Sequence, residues 1–208
     1  YKVPSYKDLY IDLGLRTASE VLTSGIDIGS PIVYKPSAEI IGDEKIIGTS
    51  VDDRAGCAVL LEVARQINSR TAGPEINIVF TVQEEFNLRG ALPVAQKIKP
   101  EIAIQIDLLL ASDTPDMRDF GEIKLGEGPG ISVFSFHGRG TLNGVIPHPV
   151  LVKHFEQAAS KENINLQKSA HIGALTDLSY VQLVEDGVAS LDVGFPIRYS
   201  HTAQEMCD

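Results

Sequence analysis

Neighbouring acidic side chains occur at two places where the sequence also predicts regular structure. Glu84 and Glu85 follow Gln83 at the end of the apolar run 76–82, which predicts a buried β-strand, and Asp52 and Asp53 open a segment with helical apolar spacing. Removing water from an unpaired carboxylate is unfavourable in free energy, or it changes the pKa of the group. A positively charged partner is therefore expected beside these residues.

Two further residues with metal-binding chemistry follow predicted strands. Asp107 ends the predicted strand 102–106, and His201 comes after the predicted strand 188–197. Ligands of α/β sheets bind beyond the carboxyl ends of the strands. Carboxylate oxygens combined with one imidazole suit a divalent cation, and an additional glutamate could act as a base on water. The sequence thus predicts a metal site.

Each of these residues also has an ordinary structural interpretation. Asp52 and Asp53 could cap the helix that follows them, where acidic groups are favourable. Asp107 could cap a turn, and His201 could be an exposed histidine in a polar loop. The two adjacent glutamates are harder to explain in this way, because neighbouring strand positions face opposite sides. One of them could hold a cation while the other contacts water.

The composition restricts the classes of partner. The 208 residues include 18 Lys and Arg against 28 Asp and Glu, a formal charge of −10, which argues against nucleic acid or an anionic membrane. No apolar run is long enough to span a bilayer, and the first residues do not resemble a signal peptide. Cys57 and Cys207 are too few for a disulfide framework. A cytoplasmic location is expected.

Strands and helices alternate along most of the chain. The fold class predicted from this alternation is α/β, with a mostly parallel mixed sheet sandwiched by helices, preceded by a small β-rich module in residues 1–44. The strands are predicted at 76–82, 102–106, 131–136, 165–169 and 188–193. The helices are predicted at 18–24, 54–68, 88–98, 149–162 and 176–184.

Six strings of the sequence together resemble the M42 family of dinuclear metallo-aminopeptidases. This family includes tetrahedral (TET) aminopeptidases, glutamyl aminopeptidases, Frv-type aminopeptidases and proteins once labelled cellulase M. The strings occur in a consistent order and span nearly the whole chain. They are GTSVDDRAG at 48–56, TVQEE at 81–85, IQID at 104–107, SDTP at 112–115, LTD at 175–177 and RYSHT at 198–202.

The resemblance implies an aminopeptidase that removes N-terminal residues from peptides by means of a metal-activated water. It makes Asp52 the carboxylate that bridges two divalent metal ions, zinc or cobalt. Glu85 and His201 become ligands of one metal, Asp107 becomes a ligand of the other, and Glu84 becomes the general base. The peptide bond that joins the two aspartates is expected to be cis.

The resemblance also implies domains and partners. Residues 1–44 are similar to the C-terminal half of a β-rich dimerisation insert, and residues 45–208 to an incomplete metallopeptidase catalytic domain. Peptide substrates and a homo-oligomer built from dimers, with a dodecamer as one form, are expected. Relatives carry a His-x-Asp element before the insert. No histidine here is followed two positions later by aspartate, so the chain is expected to be a fragment that lacks this segment.

Two other functions fit parts of the sequence. A glycoside hydrolase also needs two carboxyl groups, about 5 to 9.5 Å apart, but no metal, so a chelator would separate it from a metallopeptidase. A non-catalytic or inactive member of the family that serves as a scaffold is the second alternative. The absence of the His-x-Asp element favours it, and the presence of Glu84 argues against it.

Overall fold

The computed structural model describes residues 3–68, 72–138 and 144–208. Its helices are α1 (Ala18–Thr23), α2 (Val51–Ile67), α3 (Ala91–Ile98), α4 (Pro149–Lys161) and α5 (Leu178–Val181), with a short 3-10 helix at Tyr6–Asp8. Its strands are β1 (Ala38–Ile41), β2 (Lys45–Gly48), β3 (Ile102–Leu110), β4 (Gly130–Phe136), β5 (Gly144–Val145), β6 (Gln167–Ile172), β7 (Ala189–Arg198) and β8 (Glu205–Cys207). The mixed α/β class is confirmed.

All eight of these strands belong to one sheet, in which β7 pairs with three others. β3 runs parallel to the whole of β7, from Ile102 opposite Ala189 to Leu110 opposite Ile197. β4 and β8 pair antiparallel with the middle and the end of β7. β6 is parallel to β4, β5 is antiparallel to β4, and β8 continues antiparallel through β2 to β1.

The expectation of a mostly parallel sheet needs correction. Among the described strands, only the β3–β7 and β4–β6 pairings are parallel, and the other five are antiparallel. The physical reason lies in the connections. β1 and β2 are joined by a short hairpin, and β8 returns antiparallel beside the end of β7. Short connections of this kind permit only antiparallel pairing.

The segment 76–82 does not form the expected buried strand. It pairs with none of the strands that the structure describes, and its side chains Ile76, Phe80 and Val82 are 47%, 48% and 68% exposed. The apolar run gives this segment strand propensity, but a strand also needs hydrogen-bonded neighbours. Those neighbours are not among the described residues.

Asp107 lies inside a strand and not at its end. β3 continues to Leu110 because its pairing with β7 is unbroken up to that residue. The predicted helix at 176–184 is also shorter than expected, since only Leu178–Val181 is helical and turns follow it.

The chain divides into two compact units, one ending at Tyr34 and one comprising Lys35–Asp208. The β1–β2 hairpin belongs to the second unit, where β2 pairs with β8. Residues 3–34, the described part of the first unit, contain the 3-10 helix and α1. The expected division into a dimerisation insert at 1–44 and a catalytic domain at 45–208 stays a prediction.

The second unit has two buried apolar clusters. The larger one joins α3, α5 and β5 through Ala91, Ala95, Val145, Leu178, Val181, Val184 and Val188. The smaller one, here called the Val51 cluster, consists of Val51, Ile197 and Cys207. Within the described chain, no helix is both long enough and apolar enough to cross a membrane.

Candidate functional site

Side chains from three separate parts of the chain meet at one point. Nε2 of His201 lies 3.1 Å from Oδ2 of Asp52 and 3.3 Å from Oε2 of Glu85. The potential ligand atoms of the three residues all lie within 4.8 Å of one another. Asp52 comes from the start of α2, Glu85 from the turn after the segment 76–82, and His201 from the loop after β7. These are the three residues that the resemblance assigns to one metal.

Asp52 also belongs to a second group of acidic side chains. Its carboxylate and those of Asp53 and Asp107 offer oxygen atoms that lie within 4.8 Å of one another. Asp52 is largely buried, with a side chain 9% exposed. It is the residue that the two groups have in common, so its carboxylate can contact a cation in either group.

Asp53 has a local role as well. Its Oδ1 accepts a hydrogen bond from the backbone N–H of Gly56 at 3.0 Å, which satisfies a donor in the first regular turn of α2. A Cβ atom at position 56 would overlap the Asp53 carboxylate, so this contact requires glycine. The helix-capping interpretation therefore describes Asp53, while Asp52 faces the cluster. The peptide bond between the two aspartates is cis, as expected.

Glu84 lies beside this cluster without belonging to either group of potential ligands among the described residues. Its side chain is half-buried. The turn that carries it begins at Gln83, which has a positive φ of 58°, and the carbonyl oxygen of Glu84 accepts a hydrogen bond from Leu88 N at 2.8 Å. Burial, followed by the charges of Glu85 and Asp177, raises the pKa of Glu84 to about 8.

The pKa values of Asp52 and Asp107 are both raised. Burial, followed by the charges of Asp107 and Glu85, raises the pKa of Asp52 to about 8, although His201 acts in the opposite direction. Burial also raises the pKa of Asp107 well above its usual value. Several carboxylates held this close repel one another unless a cation compensates them. A donor set of carboxylate oxygens with one imidazole nitrogen fits a divalent cation such as zinc.

Glu205 is the residue that the sequence reasoning missed. Its Oε2 accepts a hydrogen bond from the backbone N–H of Asp52 at 2.9 Å, and its Oε1 accepts one from the backbone N–H of His201 at 2.7 Å. Glu205 is buried at the start of β8. The available signal was a glutamate closely following His201 in an otherwise polar loop. That signal is weak, since an exposed acid would look the same in the sequence.

Along the chain, the three residues of the Val51 cluster lie close to Asp52, His201 and Glu205. Val51 directly precedes Asp52, Ile197 belongs to the part of β7 that leads towards His201, and Cys207 follows Glu205 in β8. Partly buried apolar side chains pack against the cluster; they are Ala55, Leu108 and Phe195. A buried apolar contact thus ties together the elements that carry Asp52 and His201.

Two residues of the quoted strings form an ion pair near the end of β7. Nε and a terminal nitrogen of Arg198 donate to Oδ1 and Oδ2 of Asp113, both at 2.7 Å. Asp113 also accepts a hydrogen bond from Leu125 N at 3.0 Å, and the bonds from Arg198 hold the pKa of Asp113 below its usual value. This pair attaches the loop after β3 to the strand that leads to His201.

Asp177, in another of the quoted strings, contacts the segment before Glu84. The hydroxyl group of Thr81 donates to Oδ2 of Asp177 at 2.7 Å. Asp177 is 1% exposed, and its Oδ1 has no hydrogen-bond partner in the part of the chain that the structure describes. His171 lies in β6 and belongs to neither group of potential ligands described above.

Known proteins resemble this chain along its whole length. Residues 1–208 match the family described as M42 glutamyl aminopeptidase. The protein SgcX of Escherichia coli (strain K12) is 36% identical over 203 residues, which cover 98% of this chain and 54% of SgcX. The chain therefore spans about half the length of this curated relative.

Two solved structures share the fold. Aminopeptidase APDkam598 from the archaeon Desulfurococcus kamchatkensis has a TM-score of 0.91 and 33% identity, covering 100% of this chain and 57% of that chain. The TET1 peptidase of Pyrococcus horikoshii has a TM-score of 0.82 and 27% identity, covering 99% of this chain and 58% of that chain. Together with the match over residues 1–208, these similarities show that the chain belongs to the M42 glutamyl aminopeptidase family.

Proposed function

We propose that the full-length protein is a metal-dependent aminopeptidase that hydrolyses the N-terminal residue from peptides. The observation that carries this proposal is the close approach of Asp52, Glu85 and His201, whose potential ligand atoms lie within 4.8 Å of one another. Membership of a family described as glutamyl aminopeptidases supports the same activity.

Two divalent cations, zinc or cobalt, suit the two groups of potential ligands. Asp52 is assigned to both cations because it belongs to both groups. Glu85 and His201 are assigned to one cation and Asp107 to the other. A divalent cation in this position supplies Lewis-acid chemistry, which polarises a peptide carbonyl group and makes a water molecule more acidic.

Glu84 is assigned as the general base. Its neighbour Glu85 belongs to one ligand group, and its own carboxyl group remains outside both groups. In the reaction, Glu84 accepts a proton from water while the water oxygen forms a bond to the carbonyl carbon of the substrate. Glu84 then donates this proton to the nitrogen of the leaving amine as the carbon–nitrogen bond breaks.

The substitution Glu84→Gln in the full-length protein tests this assignment. It is expected to lower kcat by about 10²- to 10⁴-fold, because glutamine cannot accept and return the proton. The bound metal, measured by elemental analysis, is expected to stay at the wild-type amount. Glu62→Gln is the matched control, since Glu62 accepts hydrogen bonds from Arg65 and Gln66 on an exposed face of α2. A kcat of Glu84→Gln within twofold of the wild type would contradict the role of base.

A homo-oligomer built from dimers is the proposed assembly. The TET1 peptidase of Pyrococcus horikoshii is described as assembling into a tetrahedron or a large octahedral shell. In addition, none of residues 3–34 is buried in the described chain, and apolar side chains such as Tyr10 and Val33 are exposed there. Such a surface favours a protein partner. Light scattering on the purified full-length protein tests the assembly.

The cytoplasmic location stays a prediction.

A further inference from the structure

Glu205 links the backbone of two residues assigned to the metal centre. It is 3% exposed, and each of its two oxygens accepts one backbone hydrogen bond, from Asp52 at 2.9 Å and from His201 at 2.7 Å. Asp52 and Glu205 are 153 positions apart in the sequence. One buried carboxylate thus joins two points of the chain that are distant in sequence.

Neither Asp52 nor His201 has the backbone angles of a regular helix or strand. Asp52 has non-helical φ and ψ angles within α2. His201 lies beyond the end of β7 with a positive φ of 61°. A backbone N–H group without a partner in a helix or ladder still needs an acceptor. Glu205 provides that acceptor in both cases.

The pairing of β8 explains why Glu205 reaches both residues. Glu205 lies opposite Gly48 of β2, and the next residue of β8 lies opposite Arg198 of β7. The chain continues from Gly48 to Asp52 and from Arg198 to His201 through short connections. β8 is therefore the strand between the two strands that lead into the ligands, and Glu205 is at its end nearest to them.

We infer that Glu205 is a positioning residue for the metal centre. This inference rests on the proposed function, because it concerns ligands assigned there. By holding both backbones, Glu205 fixes the separation of the Asp52 carboxylate and the His201 imidazole, whose Oδ2 and Nε2 atoms lie 3.1 Å apart. Groups that orient metal ligands in this way change metal affinity by about 10- to 100-fold.

A purely structural role for Glu205 gives a different expectation. If Glu205 only anchored β8 to the sheet, its replacement would lower the stability of the protein and leave the metal affinity of the folded molecules unchanged. If Glu205 positions the ligands, the metal affinity of folded molecules falls. Metal affinity is therefore the measurement that separates the two roles, and it does not depend on a peptidase assay.

The test uses the full-length protein freed of metal and titrated with Co²⁺, followed by the visible absorption of the bound ion. Glu205→Gln keeps the size of the side chain but replaces one acceptor oxygen with an NH₂ group, which cannot accept a backbone hydrogen bond. Its affinity for Co²⁺ is expected to fall by about 10- to 100-fold. Glu205→Asp keeps both oxygens on a shorter side chain, and its affinity is expected to be more than about twofold below that of the wild type but above that of Glu205→Gln.

Val145→Ala is the control for lost stability. Val145 is 1% exposed in the larger apolar cluster, which does not include the Val51 cluster or the ligands. This variant is expected to have a lower Tm and a Co²⁺ affinity within twofold of the wild type. If Glu205→Gln folds, a Co²⁺ affinity within twofold of the wild type overturns the inference. If Glu205→Gln does not fold, the Co²⁺ affinity of Glu205→Asp is measured instead, and a value within twofold of the wild type overturns the inference.

A peptidase assay on the same samples separates this inference from the proposed function. If the wild type binds Co²⁺ but cleaves no peptide, the proposed function fails, and weaker Co²⁺ binding by Glu205→Gln still supports the positioning role. If the wild type cleaves peptides and Glu205→Gln binds Co²⁺ as tightly as the wild type, the proposed function stands and the positioning role is wrong.

Discussion

The candidate metal centre has one side formed by Asp52 and His201 and another formed by Glu84 and Glu85. Different interactions hold the two sides in place. On one side, the backbones of Asp52 and His201 share Glu205, and the elements that carry them meet in the Val51 cluster. Strand pairing supports this side, because β8 lies between β2 and β7. Hydrogen bonds, apolar packing and the sheet therefore all fix the same two residues.

On the other side, Glu84 and Glu85 follow a segment that pairs with none of the described strands. Among the described residues, hydrogen bonds and close packing hold this side without strand pairing. Thr81 donates to Asp177, and Gly90 approaches the backbone of Val82 so closely that a Cβ atom would overlap it. The side chain of Glu85 itself is 60% exposed.

This difference indicates which property each side controls. Substitutions on the side of Asp52 and His201 should mainly change metal affinity, because they disturb ligands that are fixed relative to each other. Substitutions that displace Glu84 should mainly change turnover, because Glu84 is the assigned base and belongs to neither group of potential ligands.

Removal of the cations should have the largest effect, because both sides depend on them. A chelator is expected to abolish peptide hydrolysis, and added Zn²⁺ or Co²⁺ is expected to restore it, as measured by release of an N-terminal residue. Two carboxyl groups that act as a glycoside hydrolase need no metal. Hydrolysis that persists after the metal has been removed completely would contradict the metallopeptidase and favour the alternative.

The two sides can be compared directly through Asp52→Asn and Glu85→Gln. Asp52 belongs to both groups of potential ligands and Glu85 to one. Asp52→Asn is therefore expected to lower the content of both cations, and to lower kcat by about 10³-fold through lost Lewis-acid stabilisation. Glu85→Gln is expected to lower the content of one cation only. Elemental analysis of both variants checks this, and equal losses would contradict the shared role of Asp52.

The sequence predicted one side of this centre better than the other. Asp52 was expected to open a helix and His201 to follow a strand, and the structure brings these two residues close together. Glu205 was missed because β8 has only three residues and its partner Asp52 is 153 positions away. Local patterns carry no information about such a contact.

The apolar run 76–82 shows the opposite case. Its composition predicts a buried strand, but burial and pairing depend on neighbours that no local pattern specifies. Asp107 is an intermediate case. The strand that contains it was predicted, but the unbroken pairing of β3 with β7 carries that strand on to Leu110. The type of residue 107 indicated the candidate site, but the predicted end of the strand was wrong.

Thr81→Val should have an intermediate effect that is specific to the side of Glu84. It removes the hydrogen bond to Oδ2 of Asp177, a buried carboxyl group whose other oxygen has no partner in the described chain. The free energy of unfolding is expected to fall by about 1–3 kcal/mol. The value of kcat is expected to fall by about 10- to 100-fold, because small displacements of a catalytic group are costly.

Thr176→Val is the matched control for Thr81→Val. Thr176 donates to Oδ1 of Asp192 at 2.7 Å, and Asp192 is likewise buried with its other oxygen unpartnered among the residues described. A similar loss of stability is expected, with kcat close to that of the wild type. Equal losses of kcat in both variants would mean that the bond from Thr81 has no special connection to Glu84.

The smallest expected effect is a pH dependence of the metal-free protein to which both sides contribute. The pKa of Asp52 is raised from 3.8 to about 8, and that of Glu84 from 4.5 to about 8. Between these values the folded protein holds protons that the unfolded chain has lost, so stability decreases as pH rises. The Tm of the metal-free protein is expected to fall by a few degrees from pH 5 to pH 8. Glu84→Gln should reduce this fall by removing the contribution of one side, and a Tm that rises over the same range would contradict the raised pKa values.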